Sequence, residues 1–222
     1  MIALIKRIKP QSLADLSAIN ALFRPALIQN GSIDVYCNNR ENTKKAKKEA
    51  DKIHKDLWPL LSDTFGIPLF QESIMFILQK IGNFTLAEAD KARKTLKLLH
   101  KGNQDKTDDF IRMIDQFKSQ ALQNEKNADK LLDMLASYTE YSFNKSHSCA
   151  YAMNAYVSQY LKVHYPMEYY CALLNNSTSE DASTYIKQAS VSGIEFGGCC
   201  YDECANNFEV DYEKNIIKFG LS

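Results

Sequence analysis

Residues Phe143-Asn144-Lys145-Ser146-His147-Ser148 bring an aromatic ring, an amide, an ammonium, an imidazole and two hydroxyls into one short run. Ser146 and Ser148 are both suitable N-caps for a helix over about 149–164. A helix start presents unpaired N–H groups and the positive end of the helix dipole, so cationic and hydroxyl side chains gathered there are a recipe for binding phosphate. The same residues also make an ordinary Ser-capped helix on which Lys145 and His147 are merely solvated. Local chemistry leaves both readings open.

A second cationic group lies upstream. Thr85 and Glu88 have the spacing of a capping box and open a helix that ends near Gly102. Ala89, Ala92, Leu96 and Leu99 form one face of it, and Arg93, Lys94, Lys97, His100 and Lys101 carry positive or titratable groups elsewhere, with no acid between Lys91 and Gln104. A wholly basic face suits a sugar-phosphate backbone or a triphosphate, and a solvated surface is the plain alternative. The stretch from Arg40 to Lys55 is also basic, but Glu41, Glu49 and Asp51 are spaced to pair along a helix there.

Other chemistry finds little support. Cys199, Cys200 and Cys204 lack Cys-x-x-Cys spacing and have no histidine after them, so no zinc site is expected. Cys149 lies near His147 in sequence, which does not orient a thiol against a base, and it reads as a small helix residue. Asp211 with Glu213 sits at a turn, and Glu180 with Asp181 opens a helix, so no carboxylate pair for two-metal chemistry is visible.

The elements that must position these groups are mainly helical. Apolar residues at helical spacing predict helices from Ser12 toward Pro25, over 71–80, from Thr85 to about 102, and over about 107–123, 128–138, 149–164, 167–174 and 180–191. Two alternating runs, 208–212 and 216–219, joined at Glu213-Lys214-Asn215, predict a β hairpin. The 222 residues carry 27 basic and 27 acidic side chains, so any polyanionic partner would be recognised by local clusters. No apolar run approaches the roughly 20 residues of a membrane span. With six cysteines in irregular spacing and no signal peptide at the N-terminus, the sequence predicts a soluble cytoplasmic chain with reduced, metal-free thiols.

The stretch from Tyr141 to Pro166 resembles the pattern F-N-K-S-H-S-x-A-Y-A followed by A-Y-x-x-x-Y-L-K-x-H-Y-P, found in family C replicative DNA polymerases of bacteria and phages. Three further segments fall in that family's order: Asp15-Leu-Ser-Ala-Ile-Asn-Ala-Leu-Phe-Arg-Pro, Gly66-Ile-Pro-Leu-Phe-Gln-Glu-Ser-Ile-Met and Ala89-Asp-Lys-Ala-Arg-Lys. Ile217-Lys-Phe-Gly-Leu resembles the strand that precedes the family's helix-hairpin-helix domain. Two departures are clear: Ala26-Leu27 stands where the family has Gly-Pro, and Leu96-Lys97-Leu98-Leu99 where it has Met-Gly-Lys-Lys.

The resemblance implies a fingers module, with a helical core over 1–175 and a C-terminal helix and hairpin over 176–222 leading toward a helix-hairpin-helix domain that this chain lacks. It further implies that Lys145, Ser146 and His147 face the triphosphate of the incoming nucleotide, with Arg93, Lys94 and Arg24 beside it. Asn144, Tyr151, Tyr156, Lys97 and Lys101 become candidate contacts to base or DNA, the two tyrosines serving equally as core. The expected partners are a dNTP, primed template DNA, the palm-containing remainder of the polymerase and other replisome proteins. Catalytic aspartates and Mg²⁺ would belong to a palm outside these residues, leaving the isolated chain inactive in nucleotide transfer. The rival reading is a non-catalytic nucleic-acid- or replisome-binding protein derived from such a module.

Overall fold

A computed structural model describes residues 1–100, 108–121, 125–198 and 206–220, with only the backbone at 97–100, 108–110, 120–121 and 125–126. The described residues are mainly α-helical with a small C-terminal sheet, and they divide into two compact units, Met1–Ala152 and Met153–Ser222. No helix among them is long and apolar enough to cross a membrane.

The first unit holds α1 (Ile2–Ile8), α2 (Leu13–Leu22), α3 (Pro25–Gln29), α4 (Ser32–Glu41), α5 (Thr43–Ile53) and α6 (Leu57–Leu61). A 3-10 turn, Ser62–Thr64, follows, and then α7 (Gln71–Lys80), α8 (Leu86–His100), α9 (Asp108–Ala121) and α10 (Glu125–Thr139). The long helix α11 (Lys145–His164) starts in this unit, and the division between units falls within it.

Local chemistry sets several of these boundaries. The Ser12 side chain accepts from the Asp15 amide at 3.1 Å and starts α2. Thr85 and Glu88 close the expected capping box, the Thr85 amide donating to Glu88 at 2.8 Å and the Glu88 amide to the Thr85 hydroxyl at 3.3 Å. Pro25 was expected to stop a helix; it also opens α3 from the first helical position, where its missing N–H costs nothing. The loop expected around Gly31 is the two-residue link Asn30-Gly31, with Gly31 left-handed at φ 79° directly before α4.

Two apolar clusters fill this unit. One gathers Ala18, Ile19, Leu22, Tyr36, Leu69 and Phe70. The other joins α6, α7, α8, α9 and α10 through Leu61, Ile74, Ile77, Leu96, Phe117 and Leu131. Buried Asp15 is matched by Arg40, whose guanidinium donates to both its oxygens at 2.6 and 3.2 Å. Burial, with the Asp15 charge adding to it, pushes the neighbouring Tyr36 hydroxyl up to about 12.

The second unit carries α12 (Pro166–Asn175), α13 (Ser179–Val191), β1 (Glu195–Phe196), β2 (Glu209–Asp211) and β3 (Ile216–Lys218). The expected hairpin is β2 with β3, antiparallel and in register at Val210 and Ile217. Asp211 shapes its turn by accepting from the Glu213 and Lys214 amides at 3.1 and 3.0 Å, and Asn215 takes the left-handed residue at φ 57°. The strand β1 is an addition to that expectation: it pairs in parallel with β3, giving the order β1-β3-β2. Ile217 packs beneath this sheet with Tyr170, Ala189 and Ile194.

The turn between α7 and α8 fixes where Arg93 and Lys94 lie, and it is tight at Gly82. A Cβ added there would stand 2.7 Å from both the Leu78 carbonyl oxygen and the Phe117 ring. Gly82→Ala is therefore expected to cost about 1–3 kcal/mol through overpacking, lowering Tm by roughly 2–4 °C per kcal/mol. Thermal melting followed by circular dichroism reads this directly, and an unchanged Tm would contradict it.

Candidate nucleotide-facing site

The start of α11 is held against the start of α7. The Phe143 amide donates to the Leu69 carbonyl at 3.0 Å and the Gln71 amide to the Phe143 carbonyl at 2.9 Å, a single parallel bridge between Phe70 and Phe143. This bridge aligns the first turns of both helices, and Glu72 of α7 then reaches α11. Its carboxylate accepts from the Lys145 amide at 2.9 Å and from the Asn144 side-chain amide at 3.1 Å. A carboxylate at the positive end of a helix is favourable on both hydrogen-bonding and dipole grounds.

The helix begins earlier than the sequence predicts. Asn144 is the capping residue, its side-chain oxygen accepting from the His147 amide at 2.8 Å, and α11 starts at Lys145 instead of about Cys149. Ser146 and Ser148, expected as caps, lie inside the first turn. Ser148 is buried and donates to the Ser17 carbonyl at 2.7 Å, while Asn20 donates to its hydroxyl at 3.4 Å. These bonds dock the first turn of α11 on α2. Asn144 is the cap because the bridge at Phe143 fixes the residue before the helix, and its side-chain oxygen meets the third amide.

Around this start, Lys145 extends its ammonium to 3.6 Å from Asp63, in the 3-10 turn, and 5.7 Å from the centre of the Phe70 ring. Ser146 and His147 are exposed. The His147 ring lies between Phe143, at 5.5 Å, and Tyr151, at 4.5 Å, each one helical turn away. Tyr151 and Tyr156 are 57% and 50% exposed, so the core role left open for them does not apply here. Tyr156 stacks along the helix with Tyr160 at 6.3 Å.

Arg24 belongs to the same neighbourhood in another capacity. It donates from Nε to the Ala21 carbonyl at 2.8 Å and from Nη2 to the Tyr141 carbonyl. Its guanidinium lies 4.8 Å from the centre of the Phe143 ring. Burial pulls its pKa below the ordinary arginine value. Arg24 thus braces the segment that enters α11 while sharing the aromatic column of Phe143, His147 and Tyr151.

Arg93 and Lys94 are both engaged by Asp90, at 3.0 and 2.6 Å, and the two cations hold its carboxyl below the usual range. The helix with a basic face therefore contains its own neutralising acid one turn earlier. Lys97 lies on the backbone of α8 with its side chain outside the described set, and Lys101 lies outside the described residues. So do Cys199, Cys200 and Cys204; among the described residues Cys37, Cys149 and Cys171 are free thiols, and no group of three or more His, Cys, Asp or Glu side chains could hold a metal ion.

Sequence reasoning assigned no role to Glu72 or Asp63, the two acids that meet the start of α11. Glu72 stood in a quoted motif, but its partner is 73 residues further along the chain, and no local pattern links the two.

A family model described as the bacterial DNA polymerase III alpha subunit finger domain matches residues 1–125. Among curated relatives, the DNA polymerase III subunit alpha of Aquifex aeolicus is 32% identical over 99% of this chain and 18% of its own length. That of Buchnera aphidicola is 33% identical over 98% of this chain and 19% of its own length, and that of Thermus aquaticus 31% over 100% and 18%. The chain belongs to the family of bacterial DNA polymerase III alpha subunits, corresponding to their finger domain. It spans under a fifth of the length of these relatives.

Glu72→Ala removes the acceptor of both Lys145 N and Asn144 Nδ2. It is expected to cost about 1–2 kcal/mol, in the range of a lost N-cap, and Glu72→Gln, which keeps an acceptor oxygen, to recover part of it. Urea midpoints of the two variants measure the difference; equal midpoints for Glu72→Ala and the wild-type chain would refute the capping role.

Proposed function

We propose that this chain acts as the fingers of a DNA-directed DNA polymerase, with the start of α11 facing the triphosphate of the incoming nucleotide. The observation that carries this reading is the presence of Lys145, Ser146 and the exposed His147 in the first turn of one helix, whose start Glu72 and the Phe70–Phe143 bridge hold in place. Among the described residues the acid that meets Lys145 is Asp63, in a half-exposed, 3.6 Å ion pair, with the Phe70 ring 5.7 Å away. Such a pair contributes about 1 kcal/mol or less, so a polyphosphate of higher charge can draw the ammonium away at small cost.

In this reading the Lys145 ammonium neutralises and orients the phosphates, Ser146 donates a neutral hydrogen bond, and the ring of His147, packed on Phe143 and Tyr151, adds a further donor in a restrained orientation. Tyr151, one turn further on, offers a ring face beside the base. Arg24 positions Phe143 from beneath, and Arg93 and Lys94 contribute a flanking positive field tempered by Asp90. A palm outside these residues supplies the catalytic aspartates and the Mg²⁺ for in-line transfer, so the chain alone incorporates no nucleotide. Its further partners are primed template DNA, the remainder of the polymerase and other replisome proteins.

In a polymerase carrying this module, Lys145→Ala should lower kcat/KM for nucleotide about ten- to a hundred-fold, the loss of one charge-assisted contact of roughly 1.5–3 kcal/mol, and leave DNA affinity nearly unchanged. Single-nucleotide incorporation kinetics beside DNA binding at two salt concentrations measure both. A variant that binds DNA more weakly while keeping its nucleotide KM and kcat would favour the rival, a non-catalytic nucleic-acid-binding role.

A further inference from the structure

A cleft of about 440 Å³ opens among α4, α5 and α10, lined by none of the residues assigned to the nucleotide. Its apolar lining comes from Ala46, Ala50, Ile53, Leu57 and Met134. Its ionisable lining is Lys45 and Lys52 from α5 and Lys130 from α10 against one carboxylate, Glu49, and Glu49 is taken by Lys52 at 2.6 Å. Lys45 and Lys130 remain without a carboxylate at ion-pair distance among the described residues.

The cleft also contains Asn38, Asn39, Asn42 and Asn127. Asn39 donates its side-chain amide to the Phe65 carbonyl at 2.8 Å, and Asn127 donates its own to the Lys52 carbonyl at 3.0 Å. Each keeps a side-chain carbonyl oxygen as acceptor, on a wall the bond has made rigid. The first turn of α5 holds no acid and no capping side-chain bond, and it carries Lys44 and Lys45 instead. Positive charge at the positive end of a helix dipole is unfavourable, and a bound anion relieves it.

An aliphatic floor, ammonium groups with no ion-pair partner among the described residues, and amide acceptors match a nucleotide in which the sugar and base face are apolar, the phosphate is anionic and the base edge donates. The volume fits one small ligand unit, and the Watson–Crick edge of a base is open to the asparagines only when the base is unpaired. We propose that this cleft binds one nucleotide unit of single-stranded DNA, its phosphate on Lys45 and Lys130 and its base edge on Asn39 and Asn127. The choice of DNA rests on the polymerase reading.

The test is fluorescence anisotropy of the full chain with a fluorescein-labelled single-stranded 12-mer at 50 and 200 mM salt. Lys45→Gln/Lys130→Gln is compared with Lys6→Gln/Lys48→Gln, which removes equal charge outside the cleft. The cleft variant is expected to bind roughly ten-fold more weakly, with the slope of log affinity against log salt smaller by about 0.7 for the one phosphate lost, while the control stays within about two-fold and both melt like the wild-type chain. Equal weakening of the two, no binding of the 12-mer by the wild-type chain, or equal binding of a 12-mer duplex would overturn the proposal. Displacement of the 12-mer by an octaglutamate peptide as effectively as by unlabelled strand would assign the cleft to an acidic protein segment instead. Lys145→Ala in the same assay should keep full affinity for the strand, so failure of the cleft proposal and failure of the nucleotide-facing assignment of Lys145 are read separately.

Discussion

The carboxylate of Glu72 on the first amide of α11 is the contact on which the site depends. A helix start leaves its leading N–H groups unpaired, and α11 has a polar, cationic first turn that would fray if they stayed so. Glu72 reaches the first of them, the Lys145 amide, because residues 69–71 and Phe143 exchange two backbone hydrogen bonds, which set the starts of α7 and α11 side by side. One bridge and one carboxylate thus fix the direction in which Lys145, Ser146 and His147 leave the backbone. The Ser148 hydroxyl on the Ser17 carbonyl and the Arg24 brace on Tyr141 hold the same turn from the other side.

Charge is balanced locally around each cation assigned to the triphosphate. Each cation assigned to the triphosphate meets an acid or a carbonyl in the free chain: Lys145 meets Asp63, Arg93 and Lys94 meet Asp90, and Arg24 meets two carbonyls. These partners differ in hold. The Asp63 pair is long and half exposed, so Lys145 is the cation most readily given up to a polyphosphate. Arg24, half-buried and spent on backbone, is the least available, which makes it a positioning residue for Phe143.

Much of the helical plan was legible in the sequence, because it is written in short-range terms. The Thr85–Glu88 box, the Ser12 cap, the break at Pro25 and the Asp211 turn are each decided within four residues, and each formed as its chemistry requires. The acids along α5 do pair with its lysines, Lys47 with Asp51 and Lys52 with Glu49. What escaped was decided at long range. The choice of Asn144 over Ser146 and Ser148 as cap follows from a bridge to residues 69–71, the addition of β1 follows from a parallel pairing across about twenty residues, and Glu72 and Asp63 acquire their roles only when distant segments meet. Neither periodicity nor capping rules carry that information. The family motifs pointed to the segment proposed to face phosphate, but they marked its cations and not the acids that restrain them.

The most direct measurement of the central claim is a titration of the ¹⁵N-labelled chain with inorganic triphosphate, following amide resonances by NMR. If the start of α11 is the phosphate-facing site, the amides of Lys145, Ser146 and His147 shift together along one saturable curve, and the curve is lost in Lys145→Ala while the rest of the spectrum is kept. Shifts that spare these three amides and saturate elsewhere, or that survive Lys145→Ala unchanged, would contradict it.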